Sequence, residues 1–149
     1  MHRSNFAVAL ISTLVLAQAA LAADTPKVDF VKDVQPILKA SCVDCHSLDP
    51  KKPKKNGAGS LRLDDKAAAL KGGKYGADIV PGDAKNSRLF KLLSGPVTEK
   101  VEDEDKDVPP MPKAKRGKKW QPLTSEQIAT IRRWIDQGAD WPEATTVSR

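Results

Sequence analysis

The chain has 149 residues, a formal net charge of +6 and only 5% aromatic residues, with a mean hydropathy of −0.45. That length suits one domain together with processing signals. The positive balance is carried by lysine-rich stretches without interleaved aromatics, which argues against nucleic acid as a partner and leaves acidic proteins or anionic surfaces.

Met1 to Ala22 reads as an export signal. His2 and Arg3 form a basic start, Phe6 to about Ala17 a short apolar stretch, and Ala20-Leu21-Ala22 a small-x-small cleavage pattern. The apolar stretch is broken by Ser12 and Thr13 and falls short of the ~20 residues a spanning helix needs. No cysteine follows it, so no lipid anchor is expected. Cleavage after Ala22 leaves 127 residues, 23–149, as one domain, and the charge falls to +5 as Arg3 departs. A periplasmic or otherwise exported protein without a membrane anchor is expected.

Asp24 to Lys27 reads as a frayed terminus. Asp29 can cap a helix whose apolar face is Phe30, Val31, Val34, Ile37 and Leu38, with a kink or restart at Pro36. That helix runs into Cys42-Val43-Asp44-Cys45-His46. After signal removal the chain has no other cysteine and no other histidine. On a helical turn, two thiols three positions apart reach one edge of a flat ligand, and the next imidazole falls below its centre. This spacing predicts covalent attachment of one haem c through Cys42 and Cys45, with His46 as proximal iron ligand. A disulfide or a thioredoxin-like site leaves the adjacent histidine unexplained, and three soft ligands are one short of a closed zinc site.

From Asp49 to Ser60 two prolines, two glycines and four lysines predict an exposed loop beside the cofactor. Leu61-Arg62-Leu63 is short and alternating. Asp64 or Asp65 caps a short helix stopped at Gly72-Gly73, Pro81-Gly82 makes a turn, and Asn86 or Ser87 caps a helix closed by Gly95-Pro96. Glu99 to Asp107 is an acidic run, and the sign reverses from Lys113 to Lys119. Both are expected as solvated loop, with no spacing suited to calcium. The last helix is the best specified: Thr124 and Gln127 make a capping box, Leu123 and Ile128 a staple, and Ile128, Ile131, Trp134 and Ile135 one face before Gly138. The expected fold is mainly α, with helices packed around one haem whose apolar surface offsets the shortage of aromatics.

The iron's other face needs a ligand, and no second histidine is available. Met111 is the sole methionine after signal removal, held in Val108-Pro109-Pro110-Met111-Pro112 by a backbone that prolines stiffen. Met111 is therefore the expected sixth ligand, a thioether that raises the potential. The alternative is an apolar plug over the haem edge. The free N–H of a ligating imidazole normally donates to a carbonyl, and that of Pro81 is the expected acceptor.

These segments resemble the planctomycete-type cytochrome c domain. The resemblance is carried by Asp29-Phe30, Val34-Gln35-Pro36-Ile37-Leu38, Cys42-x-x-Cys45-His46, Leu61-Arg62-Leu63-Asp64 and Ile79-Val80-Pro81-Gly82, then by Ser87-Arg88-Leu89, Met111-Pro112 and Trp134 to Ala139. Where the family typically has Met-Pro-Pro, this chain has Pro-Pro-Met-Pro followed by Lys113. The resemblance implies a single-haem helical domain with His46 and Met111 as axial ligands.

An electron carrier, not an enzyme, is the expected function, exchanging electrons with other redox proteins through a surface whose charge selects the partner. A fixed haem subunit of a larger exported oxidoreductase would use the same residues. A haem enzyme or ligand sensor with an open iron position is disfavoured, since no distal histidine remains as acid–base catalyst.

Overall fold

The computed structural model describes residues 25–48, 57–101, 104–114 and 121–148. The expected export signal, most of the lysine-rich loop after the cysteine motif, Glu102 and Asp103, and the basic residues 115–119 lie outside the described residues. Among the described residues four short helices make the frame: α1 (Gln35–Ser41), α2 (Lys66–Lys71), α3 (Arg88–Ser94) and α4 (Ser125–Asp136). A π-helical turn, Phe30–Val34, precedes α1, and a 3-10 turn, Ala58–Ser60, precedes α2. Between α3 and α4 lies an antiparallel hairpin of β1 (Val97–Val101) and β2 (Glu104–Val108). Among the described residues no helix is long and apolar enough to cross a membrane.

Local rules explain most boundaries. The Asp29 side chain accepts from Lys32 N, and the regular α-helix restarts at Gln35 with Pro36 in its first turn, where a missing N–H costs nothing. Of the two aspartates before α2, Asp65 is the cap, accepting from Ala68 N at 2.9 Å. Ser87 precedes α3 without capping it: its hydroxyl accepts from Val80 N and donates to the Asp83 carbonyl. At α4 both halves of the Thr124–Gln127 box form, worth about 1 kcal/mol. The helix ends where Gly138 (φ +102°) and Ala139 (φ +53°) turn left-handed and return their N–H groups to Ile135 and Trp134.

The acidic run is not the loop expected. Val97, Thr98, Glu99, Lys100 and Val101 pair with Val108, Asp107, Lys106, Asp105 and Glu104. Read along the chain the segment is acidic. Read across the strands, Glu99 faces Lys106 and Lys100 faces Asp105, and the Thr98 hydroxyl bonds Asp107 at 2.8 Å. Opposite charges across a ladder and β-branched residues at its ends favour a hairpin where a run of one sign would not.

The core centres on three aromatic rings. Phe30 stacks on Trp141 with centroids 4.2 Å apart and lies tilted against Trp134 at 5.7 Å. Both indoles are anchored, Trp134 Nε1 donating to the Asp140 carbonyl and Trp141 Nε1 to that of Thr145. Val34, Leu38, Ile131, Ile135 and Val147 close around them. Here α4 packs on the Phe30–Val34 turn and on α3. The tail folds back as well, with Val147 N donating to the Asp64 carbonyl. Nor is the N-terminal segment free: Val28 N donates to Gln137 Oε1 at 2.8 Å and Lys27 pairs with Asp140.

Candidate functional site

The cysteine motif continues α1 as one more turn. Cys42 N donates to the Leu38 carbonyl, and the N–H groups of Cys45 and His46 both return to the Cys42 carbonyl, at 3.1 and 2.9 Å. Two anchors fix this turn: Val43 is fully buried, and the Ser47 hydroxyl bonds the Val43 carbonyl at 2.6 Å. The geometry therefore brings Cys42, Cys45 and His46 together, as their spacing requires. Both cysteines are free thiols, Cys42 buried and Cys45 exposed. Burial, with help from the neighbouring Cys45, pushes the Cys42 pKa up to about 12.

The backbone approaches this turn so closely that glycine is required. Ala58 N donates to the Cys45 carbonyl and Leu63 N to that of His46, at 2.8 and 2.7 Å. A Cβ on Gly57 would lie 2.5 Å from the Leu61 carbonyl oxygen, 2.8 Å from His46 Cα and 2.9 Å from the Cys45 carbonyl oxygen. All three are backbone atoms with little room to yield. The run Pro-Lys-Lys-Asn-Gly suggests only a turn, so Gly57 is a site-shaping residue that the sequence does not single out.

His46 is half-buried, and its Nδ1 is buried without a hydrogen-bond partner among the described residues. Pro81 is therefore not the acceptor expected for this ring. It is exposed on a turn fastened to the end of α4, where Gly82 N donates to the Ile135 carbonyl and Ala84 N to Asp136 Oδ1. The carbonyls of Leu61 and Ala58 are the ones that influence the imidazole. Burial pushes its pKa down, while those carbonyls and the charge of Asp78 pull partly the other way and Arg88 acts with burial. The neutral imidazole, the form that binds a metal, is favoured.

Met111 comes from a separate segment just after the hairpin. Its N–H donates to the Leu92 carbonyl at the end of α3, at 2.8 Å. Its half-buried side chain packs against the same apolar cluster that contains Cys42 and Val43. Among the described residues no group of three or more His, Cys, Asp or Glu is arranged to hold a bare metal ion. What the turn offers is a donor set of two thiols and one imidazole with an orphaned, buried ring nitrogen. That set fits a haem joined through two thioethers, since both cysteines are free thiols and a neutral imidazole follows them on the same turn.

A helical frame that presents a Cys-x-x-Cys-His turn on its apolar core is consistent with a c-type haem-binding motif. Residues 42–113 match the family model of planctomycete cytochrome C, which supports a planctomycete-type cytochrome c domain over that span. The matched span starts at the first cysteine and closes two residues beyond Met111. The resembling segments in 29–38 and 134–139 lie outside it. No curated protein and no solved structure matches the chain. Membership of the cytochrome c class implies haem c and haem-based electron transfer.

Proposed function

We propose that this protein is an exported single-haem cytochrome, spanning 23–149 after signal removal, that carries one electron at a time between redox proteins. Cys42 and Cys45 would hold the haem through thioethers, and His46 and Met111 would supply the iron's protein ligands. When bound, the haem supplies reversible one-electron exchange at its iron. The observation that carries this reading is the cysteine–histidine turn, with its two free thiols and its orphaned imidazole nitrogen, inside the matched span.

The chain's own residues do three things. The turn from Cys42 to His46 fixes the cofactor's edge and the direction of the proximal imidazole. The Leu92–Met111 hydrogen bond holds the start of the ligand segment against the end of α3. The apolar cluster around Cys42 and Val43 excludes water on the buried side, which favours the less charged state of the site.

Replacing Met111 by Ala tests the sixth ligand. The expected result is loss of the methionine–iron charge-transfer band from the oxidised spectrum and a lower reduction potential, with covalent haem retained. An unchanged spectrum would exclude Met111 as a ligand and leave it as apolar cover over the haem edge.

A further inference from the structure

Behind the 57–61 segment lies an ion cluster built on one buried carboxylate. Asp78 is 2% exposed. Its Oδ1 accepts from Arg88 Nη1 at 3.1 Å and its Oδ2 accepts from Gly73 N at 2.9 Å. Arg88 also grips Glu99 of β1 with two parallel bonds, Nε to Oε1 at 2.7 Å and Nη2 to Oε2 at 2.8 Å. The guanidinium lies 4.6 Å from the centre of the Tyr75 ring. Lys74 reaches the same ring at 5.6 Å but is exposed, so solvent screens its charge. Burial alone would lower the Arg88 pKa, but its bonds to Glu99 and Asp78 outweigh that and raise it, so the cation persists. Two carboxylates thus share one guanidinium, which leaves one net negative charge, with Asp78 buried and Arg88 and Glu99 partly buried.

The cluster is coupled to the cysteine–histidine turn through backbone packed without side chains between. A Cβ on Gly73 would lie 2.5 Å from the Gly59 carbonyl oxygen and 3.0 Å from Leu61 N. Leu61 in turn presses on Gly57, which presses on His46. Lys74 N donates to the Gly59 carbonyl at 2.7 Å, so the segment that Asp78 holds is hydrogen-bonded to the one that cradles His46.

We infer that the Asp78–Arg88–Glu99 cluster is a redox-tuning element, whose net negative charge, centred on the buried Asp78, favours the oxidised, more positive state of the iron site and holds the reduction potential below the value the ligands alone would give. This rests on the haem-carrier reading above. A cluster that only braces the fold would behave differently: loosening it at either end would let in water and move the potential in the same direction. Charge tuning instead requires opposite signs. In the haem-loaded full chain, Asp78→Asn is expected to raise the potential and Arg88→Gln to lower it, while Arg88→Lys restores most of the wild-type value. The oxidised charge-transfer band and low-spin spectrum remain in all three. Glu99→Gln, at the outer end, raises the potential less than Asp78→Asn and serves should the latter fail to fold.

Protein-film voltammetry reads these shifts directly. Shifts of the same sign for the Asp78 and Arg88 variants, or no shift with the spectrum intact, would overturn the tuning role. A wild-type protein without covalent haem would instead overturn the carrier reading itself, and its spectrum is recorded before any variant is compared.

Discussion

Alkylation of the folded, haem-free, reduced chain by iodoacetamide at pH 8 is expected to modify Cys45 at least ~100-fold faster than Cys42, because reaction requires an accessible thiolate. Cys42 fails on both counts. It is buried, and with its pKa pushed up to about 12 only about one molecule in ten thousand carries the thiolate at pH 8. Cys45, on the same turn, is exposed. Peptide mass spectrometry at timed intervals separates the two sites, and unfolding in guanidinium should bring the rates together. Equal rates in the folded protein would mean that the turn does not bury Cys42. The asymmetry follows from the fold: Cys42 ends the face of α1 that enters the core with Leu38, whereas Cys45 sits three residues on, at the surface.

Replacing Trp134 by Ala should cost about 3–5 kcal/mol, close to the whole stability of a small domain. The indole is 1% exposed, lies at the meeting point of Phe30 and Trp141, and donates to the Asp140 carbonyl just past the left-handed end of α4. Its removal leaves a cavity and an unpaired carbonyl together, and it loosens the N-terminal segment that Gln137 and Asp140 hold. Chemical denaturation checks the magnitude. Val31→Ala, on an apolar residue that is 47% exposed, is the control and should change stability by less than about 0.5 kcal/mol. Comparable losses for the two variants would contradict the placement of the core.

What the sequence made legible is local. Thr124 with Gln127, Asp65 before α2, Pro36 at the restart and Gly138 after α4 each act through atoms within a few residues, so their roles follow from residue type and spacing. The cysteine–histidine turn is legible for the same reason: five consecutive residues contain its donors. The hairpin was hidden because its stabilising pairs, Glu99 with Lys106 and Lys100 with Asp105, exist only once a register is chosen. Gly57 and Gly73 were hidden because their need for a bare Cα comes from backbone that returns from elsewhere. Asp78 showed one weak signal, a lone carboxylate beside Ile79 and Val80, but its partners Arg88 and Glu99 lie on α3 and β1. Met111 is a mixed case. The proline frame marks it, while its backbone tie to Leu92 is visible only in the fold.

Corrections to the sequence expectations share that origin. Pro81 was a reasonable acceptor for the His46 ring on chain order alone, but its turn is fastened to α4 through Gly82 and Ala84. The segment that returns to the ring instead is 57–63, pulled in by Ala58 and Leu63 bonding the carbonyls of Cys45 and His46. The N-terminal residues, expected to fray, are held by the polar end of α4.

The central claim is that the turn from Cys42 to His46 carries a covalent haem. The most direct test is the absorption spectrum of the purified protein in both redox states, recorded again after denaturation and acid–acetone extraction. The account predicts a low-spin c-type spectrum whose haem stays with the polypeptide, with a methionine–iron band present only in the oxidised form. A colourless protein, or one whose haem is extracted from the denatured chain, would contradict it.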